Sequence, residues 1–271
     1  MVIDFSRYNT FLRNAEYFRL KYCKNLTVSR DKIGYGLQRG TAFHLIAEER
    51  YKGTTEAALD TVLSEAVSDP KAISKATVMH KAFAAKYVAS DAVSKLAAEV
   101  EFRSAIPGTQ HEIAGRIDEI LNYRGSLWCG ETKTANARAD YAKLKYDWQR
   151  NPQANFEIAG ARSLGYQVEG VLVRTITEHS PPRIWEIEAT RTDEEQQMFF
   201  INVAQVCDTI EMYKSKYGVD VPWPHNTNSY PCNMEGRCEF EDICGKLRAD
   251  VSGFAERKEH LPIILRPAEK S

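Results

Sequence analysis

Apolar residues in the first third of the chain recur at helical spacing. Between residues 5 and 23 they fall every three or four positions, on one face of a predicted helix: Phe5, Tyr8, Leu12, Ala15, Phe18 and Tyr22. A second helix is predicted from about residue 42 to 51, just after Gly40 and Thr41. Two more are predicted between residues 54 and 92, broken near Pro70. Residues 1–96 are therefore expected to be a helical segment of one larger domain.

Strand patterns dominate the middle of the chain. Residues 97–106 predict a strand, and alternation from His111 to Thr134 predicts two strands joined by a turn at residues 123–126. Further elements follow in order: a helix at 153–164, strands at 167–177 and 183–190, and a helix at 192–217 that ends at Gly218. This order predicts an α/β fold with a mixed central sheet flanked by helices, its core at residues 97–217.

Three charged side chains stand on the two central strands. Asp118 lies in the first strand, and Glu131 and Lys133 lie two positions apart in the second, so they project on the same side. Two carboxylates and an amine are suited to holding a Mg²⁺ ion and orienting a water molecule. Taken alone, the same residues also fit an exposed hairpin with ordinary salt bridges.

Residues 138–150 combine basic and aromatic side chains. The candidates for contact with DNA are Lys143, Lys145, Tyr146, Trp148 and Arg150. Cations of this kind bind phosphates, and rings of this kind stack on bases. The alternative is a loop and helix that pack their rings inward and leave their charges in water.

Cysteines mark residues 218–250, which read as a loop-rich clasp. Cys232, Cys238 and Cys244 are equally spaced, which indicates an iron–sulfur cluster or a Zn²⁺ site. Cys23 is the candidate fourth ligand, because Cys129 and Cys207 fit buried apolar positions better. Three unligated thiols are the alternative. Residues 251–271 are expected to be a peripheral tail.

Composition narrows the function classes. The chain has 271 residues, 43% of them hydrophobic and 27% charged, as in ordinary soluble globular proteins. The net charge of −1 offers no overall attraction for nucleic acid, so any such binding needs a local basic patch. No apolar run approaches the roughly 20 residues of a membrane span. We expect a cytoplasmic protein with no membrane partner, in which thiols or metal thiolates are favoured over disulfides.

Several short motifs, in this order, resemble one enzyme family. They are Gly40 to His44 (G-x-x-x-H), Gly115 to Asp118 (G-x-x-D), Glu131 to Lys133 ((D/E)-x-K), Gln153 (the start of Q-x-x-x-Y) and the C-terminal cysteines. Together they resemble the PD-(D/E)xK nucleases, in the RecB-like branch that includes CRISPR-adaptation and phage recombination exonucleases. Glu101 is similar to an acidic residue that the family often has on the first strand.

The resemblance implies roles for these residues. Asp118 and Glu131 would bind Mg²⁺ or Mn²⁺, with His44 as a further ligand. Lys133 would position the attacking water, and Gln153 would orient the phosphate or Lys133. The implied fold is the restriction-endonuclease-like core.

The implied function is a metal-dependent DNA exonuclease in recombination, repair or phage DNA processing. It would act on DNA that is single-stranded or has free ends, with a recombination or replication protein as an expected partner. The helices of residues 5–92 would arch over the site and admit one strand. A structure-specific or RNA-directed endonuclease and a catalytically silent DNA-binding scaffold are the alternatives.

The chain departs from the family pattern at three places. The gap from Cys232 to Cys238 is longer than the two-residue gap common in relatives. Asn14 stands where relatives have their first cysteine, and Cys23 follows the aromatic-basic run that this cysteine normally precedes. After Gln153, the aromatic residue is Phe156, three positions on, where relatives have a tyrosine four positions on.

Overall fold

The computed structural model describes residues 1–27, 33–88, 93–224, 238–240, 242–246, 250–252 and 254–256. The N-terminal elements are β1 (Val2–Ile3), α1 (Phe5–Arg13), α2 (Ala15–Phe18), a π-helical turn (Arg19–Cys23), β2 (Leu26–Thr27), α3 (Tyr35–Tyr51), α4 (Glu56–Ala66) and α5 (Pro70–Val88). The remaining elements are β3 (Val93–Ala105), β4 (Glu112–Tyr123), β5 (Ser126–Ala135), α6 (Tyr141–Trp148), α7 (Pro152–Ser163), β6 (Val168–Thr177), β7 (Ile184–Thr190), α8 (Asp193–Tyr217) and β8 (Ala255–Glu256).

The central sheet is mixed, as predicted. β3, β4 and β5 are antiparallel neighbours, β6 runs parallel to β5, and β7 returns antiparallel on the outer edge. The short β1 pairs in parallel with the start of β4. Helices cover both faces, so the α/β class and the flanked mixed sheet are confirmed. None of the helices within the described ranges has both the length and the apolar character needed to cross a bilayer.

The N-terminal helices divide between the two faces of the sheet. α1 packs with α7 and α8 in the main core, where Tyr8 contacts Phe156 and Phe199. α3, α4 and α5 form a second core on the other face, built on residues such as Phe43 and Met79. The helices of segment 1–96 therefore do not form one layer. In the described structure, α3, α4 and α5 lie on the face of the sheet opposite α1.

Two helix boundaries differ from the prediction. The helix predicted over residues 5–23 is interrupted at Asn14, which is extended (φ −167°) and whose side chain accepts from the Tyr17 N–H to cap α2. α3 begins at Tyr35 rather than near residue 42. Its early turns are fixed by tertiary contacts that local sequence does not show, since the Gln38 amide oxygen accepts from the backbone N–H groups of Ser68 and Asp69.

β4 and β5 part in the middle of the sheet. Their last paired residues are Glu119 and Gly130, and the next pair in this register is Asp118 and Glu131. Along the edge of β4 that faces β5, the next paired residue toward the start of the strand is Ile113, which pairs with Ile3 of β1. The two carboxylates thus stand where the strands diverge, and α7 lies across the opening.

A glycine lets α7 approach the sheet closely. A Cβ atom on Gly160 would lie 2.4 Å from the ring of Phe102, which is a buried residue of β3. Phe102 occupies the space left by the missing side chain, so α7 can sit against β3 and β4. This contact sets the depth at which the start of α7 meets the diverging strands.

One buried histidine makes the core of α3 to α5 sensitive to pH. His80 on α5 is 7% exposed, and its ring lies against Phe43. Within the described part of the chain, its Nδ1 has no hydrogen-bond partner. Burial, with a contribution from the charge of Arg50, lowers the pKa of His80 to about 4.

We expect His80 to favour unfolding as the pH falls from about 6.5 toward 4. In that range the unfolded chain binds a proton that the folded chain excludes. Between pH 7 and pH 5 the wild type should therefore lose about 2 kcal/mol more stability than His80→Leu, which has no group to titrate there. Urea unfolding at the two pH values measures this difference. Equal losses for the two proteins would contradict it.

Candidate active site

The two central carboxylates and the lysine lie together at the point where β4 and β5 diverge. The Lys133 Nζ atom is 2.7 Å from Glu131 Oε1, and the Glu131 side chain is only 4% exposed. Asp118 lies across from them, close enough for the charge of Glu131 to disfavour ionisation of Asp118. The structure thus places Asp118, Glu131 and Lys133 in one cluster.

Gln153 joins this cluster from the first turn of α7. Its Nε2 donates to Glu131 Oε2 at 2.7 Å and to Glu157 Oε1 at 2.8 Å. Both oxygens of Glu131 are therefore held, one by Lys133 and one by Gln153. These two contacts fix the orientation of the Glu131 carboxylate relative to Asp118.

Glu157 is a member of the site that the sequence analysis missed. It lies four residues after Gln153, the position at which the family pattern has a tyrosine, and it is 3% exposed. Burial and then the charge of Glu131 raise its pKa well above the ordinary value, and it is placed to share a hydrogen bond with Glu131. The sequence carried one signal that could have identified Glu157. It is the single charged residue in the otherwise small and apolar run Phe156 to Ala161.

His44 reaches the site from the opposite face of the sheet. Its Nδ1 lies 3.9 Å from Asp118 Oδ2, and burial lowers the pKa of His44. Gly40 is one turn earlier on α3, and a Cβ atom there would lie 3.4 Å from the Thr134 hydroxyl oxygen. The small residue keeps α3 close to β5, which gives a physical reason for the four-residue spacing between the glycine and the histidine.

Asp118 has the properties of a metal ligand. Its Oδ2 is buried and has no hydrogen-bond partner among the described residues. Burial, followed by repulsion from Glu131, raises the pKa of Asp118 to about 8. A divalent cation would relieve both effects. Two carboxylates and an imidazole are also ligands that Mg²⁺ and Mn²⁺ accept, so Asp118, Glu131 and His44 fit such an ion.

Lys133 is held as a cation. Burial acts to lower its pKa, but the Glu131 carboxylate outweighs this, and the net pKa is raised. Its Nζ also lies 5.9 Å from the ring centroid of Trp148. Lys133 is therefore suited to orienting a water molecule and to balancing negative charge.

A second acidic residue from β3 approaches Asp118. In the β3–β4 register, Glu99 falls opposite Asp118, between the pairs Ala98–Glu119 and Val100–Ile117. Its backbone has φ +53°, a left-handed conformation that is uncommon outside glycine and asparagine. Glu101, which the sequence analysis favoured, instead pairs in register with Arg116. Alternation along the sequence cannot decide between Glu99 and Glu101, because residues two positions apart point to the same side of a strand. It also does not reveal the irregular pairing earlier in β3.

The basic-aromatic segment folds as α6. Tyr146 is 58% exposed, and the Arg150 guanidinium lies 3.8 Å from its ring centroid. Lys145 is exposed, and Lys143 pairs with Asp147 at 2.9 Å. Trp148, in contrast, is 5% exposed and belongs to the main core. The inward-packing alternative holds for Trp148, because its ring is buried beside Lys133 and is not available to stack on a base.

The cysteine prediction falls partly outside the described residues. Cys232 lies there, so its position is not described. Cys238 packs beside Leu20 and Phe240, whereas Cys23 packs against the main core. The half-buried Cys244 lies in the turn that follows Phe240.

The C-terminal segment is joined to α2 by other contacts. The Tyr17 and Phe240 rings are 5.0 Å apart, Tyr17 donates to Glu239, and the Gly245 N–H donates to Glu16 at 3.4 Å. The segment that carries Cys238 and Cys244 thus lies against the N-terminal helices, on the side of the aromatic-basic run.

A separate group of possible metal ligands lies at the start of β4. His111, Asp208 and Glu211 have ligand atoms within 4.8 Å of one another. The group already forms internal contacts, since His111 Nε2 is 2.9 Å from Asp208, whose side chain is 72% exposed. It is distinct from the cluster at Asp118.

Comparison with known proteins agrees with this geometry. A family model described as the PD-(D/E)XK nuclease superfamily matches residues 4–245. The chain belongs to this superfamily, whose members hydrolyse phosphodiester bonds with divalent metals. No protein with a curated description matches the sequence.

Two solved structures align with most of this chain. The crystal structure of a candidate exonuclease from Eubacterium rectale aligns over 87% of this chain and 88% of its own, with 12% identity and a TM-score of 0.52. A protein named SSO0001 aligns over 84% of this chain and 93% of its own, with 15% identity and a TM-score of 0.38. At these identities the first likeness concerns the fold alone.

We expect Mn²⁺ to stabilise the protein through Asp118. At 100 times its Kd a bound ion adds about 2.7 kcal/mol, or roughly 5–10 °C in Tm for a chain of this size. Asp118→Asn should lose most of this shift, because it removes the buried unpartnered carboxylate oxygen. Thermal unfolding of metal-free protein titrated with Mn²⁺ measures it.

Asp208→Asn is the matched control for this titration. It removes an exposed carboxylate from the group at His111 and should leave the Mn²⁺ shift intact. A shift that survives in Asp118→Asn and disappears in Asp208→Asn would place the ion at the other group.

Proposed function

We propose that the protein is a divalent-metal-dependent DNA exonuclease of the RecB-like branch, acting on DNA ends in recombination, repair or phage DNA processing. The observation that carries the proposal is the meeting of Asp118, Glu131, Lys133, Gln153 and His44 from both faces of the sheet. Membership in the nuclease superfamily supports the reaction class.

The residues divide the work of hydrolysis. Asp118, Glu131 and His44 would hold Mg²⁺ or Mn²⁺, which supplies charge neutralisation at the phosphate when bound. Lys133 keeps its ammonium beside Glu131 and orients the attacking water toward phosphorus. Gln153 holds Glu131 in place from α7 and is itself anchored by its bond to Glu157.

The preference for free ends is motivated by α3, α4 and α5. These helices stand over the face of the sheet from which His44 enters the site, and α3 lies against β5 at Gly40. This arrangement restricts approach from that face. We expect a single strand that enters by its end to reach Asp118 more readily than a closed circle does.

Two further contacts extend the proposal. The exposed side of α6 carries Lys145, Tyr146 and Arg150 and would bind the DNA strand, with Lys143 at its edge. Cys232, Cys238 and Cys244, with Cys23 as the candidate fourth ligand, would hold a [4Fe-4S] cluster or Zn²⁺. The packing of residues 238–246 on α2 supports a role for this segment in joining the two ends of the chain.

Lys133→Ala should reduce hydrolysis of linear single-stranded DNA by about 10²- to 10³-fold, because it removes the cation that positions the water. Release of labelled nucleotides in the presence of Mn²⁺ measures the rate. Lys216→Ala, at the exposed end of α8, is the control and should be unaffected. Undiminished activity in Lys133→Ala would refute the assignment of the site.

The same assay separates an exonuclease from the alternatives. A linear single strand should be degraded, and a closed circular strand of the same sequence should persist. Equal rates on both would favour an endonuclease. DNA binding without hydrolysis by the wild type would favour a catalytically silent scaffold.

The α6 surface should contribute to DNA affinity through Lys145 and Arg150, which form no ion pair with any residue that the structure describes. In a Lys133→Ala background, Lys145→Ala with Arg150→Ala should weaken binding to single-stranded DNA. The slope of log K against log salt should fall by about 1.4, at roughly 0.7 for each lost phosphate contact. Lys143→Ala should have a smaller effect, because Lys143 is already paired with Asp147. An unchanged salt dependence in the double variant would remove α6 from the interface.

A further inference from the structure

A narrow cavity extends from the catalytic groups along one side of α3. It measures about 300 Å³ and lies between α3 and strands β3 and β4. His44 and Asp118 line one end, and Tyr51 and Lys95 line the other. We call this cavity the α3 slot. Because Asp118 is one of its lining residues, the slot lies next to the bond that the proposed nuclease would cut.

The helix fixes the length of the slot. His44, Ala47, Glu48 and Tyr51 follow one another along one face of α3 and all line the cavity. Seven residues separate His44 from Tyr51, and at 1.5 Å per residue this is about 10 Å. A cavity of this length and volume accommodates one nucleoside beyond a phosphate held at His44 and Asp118.

The charges of the slot favour a base over a phosphate. Its three cationic side chains already have carboxylate partners: Lys52 with Glu48 at 2.7 Å, Lys95 with Glu119 at 2.6 Å and Arg116 with Glu99 at 2.7 Å. A second phosphate would therefore meet no unneutralised cation among the residues that line this cavity.

Aromatic and aliphatic surface fills the rest of the wall. The half-buried Phe83, Ala47 and Ala98 line the slot, and Phe43, which is 1% exposed, packs against Phe83 with ring centroids 5.6 Å apart. Base rings stack on such surfaces in a sequence-tolerant way.

A side-chain pair lines the far end of the slot. The Lys95 Nζ lies 4.5 Å from the Tyr51 ring centroid. Lys95 is fixed in turn by Glu119, which is itself bound by the buried Arg174. The Tyr51–Lys95 pair thus stands where a second nucleotide would have to pass.

We propose that the α3 slot receives the terminal nucleoside of a DNA strand, so that each hydrolytic step releases one mononucleotide. The proposal rests on the proposed nuclease function and adds the size of its product. In each step a water oxygen bonds to phosphorus and the bond from phosphorus to the 3′ oxygen breaks. The phosphate remains on the 5′ carbon of the terminal nucleoside, which leaves as a mononucleotide, and the 3′ oxygen of the neighbouring nucleotide takes up a proton.

Product length in the first turnovers tests the proposal directly. Linear single-stranded DNA labelled along its length is digested with Mn²⁺, and early products are resolved by denaturing electrophoresis and mass spectrometry. The wild type should release mononucleotides from the start. Tyr51→Ala, which removes the ring at the far end, should shift early products toward di- and trinucleotides. Early wild-type products of several nucleotides would overturn the proposal while leaving the nuclease assignment standing.

Binding tests it independently of cutting. In a Lys133→Ala background, a strand with 2-aminopurine at its end should lose fluorescence on binding, because the base stacks in the slot. Ala47→Phe fills the slot and should abolish the quenching and weaken end binding about 10-fold. Ala58→Phe places the same ring on the exposed face of α4 and should change neither. Terminal quenching that persists in Ala47→Phe, or equals that of an internal 2-aminopurine, would overturn the proposal, whether or not the wild type cuts DNA.

Discussion

The separation of β4 from β5 after the Glu119–Gly130 pair is the constraint on which the candidate site depends. A sheet that stayed paired through this region would bury Asp118 and Glu131 in neighbouring ladder positions, with no room for a ligand between them. Because the strands diverge, α7 can reach Glu131 through Gln153 on one face, and α3 can bring His44 toward Asp118 on the other. The divergence has an energetic cost at Asp118, because its Oδ2 is buried and has no hydrogen-bond partner among the described residues.

Close packing brings the helices within reach of this opening. Phe102 fills the space at Gly160, and Gly40 lets α3 lie against Thr134. Each glycine acts at a distance from the chemistry, one on α7 and one on α3, yet each sets how deeply its helix sits. The site is therefore a product of packing on both faces, which explains why its motifs are spread over more than 100 residues of sequence.

Much of this arrangement was accessible from the sequence. The alternation from His111 to Thr134 and the turn at residues 123–126 define the hairpin, and the spacing of Asp118, Glu131 and Lys133 indicates their meeting. The parts that escaped prediction depend on tertiary context. The early start of α3 is fixed by Gln38 contacts with residues 30 positions away. The approach of Glu99 depends on an irregular β3, and the burial of Trp148 depends on how α6 docks. Glu157 was missed because a carboxylate replaced the expected ring, and only the structure shows it bonded to Gln153.

The Glu16–Arg19 ion pair has a consequence for how the chain can be divided. Glu16 is fully buried, and besides Arg19 it accepts from the backbone N–H groups of Trp223 and Gly245, while Arg19 donates to the Val219 carbonyl. In a chain shortened to the end of α8, the Glu16 carboxylate and the Arg19 guanidinium would lose their backbone partners. Phe18 would also lose its stacking contact with the Trp223 ring. The residues after α8 are thus structural members of the same folding unit as α2, and a boundary near residue 217 divides the sequence without dividing the fold.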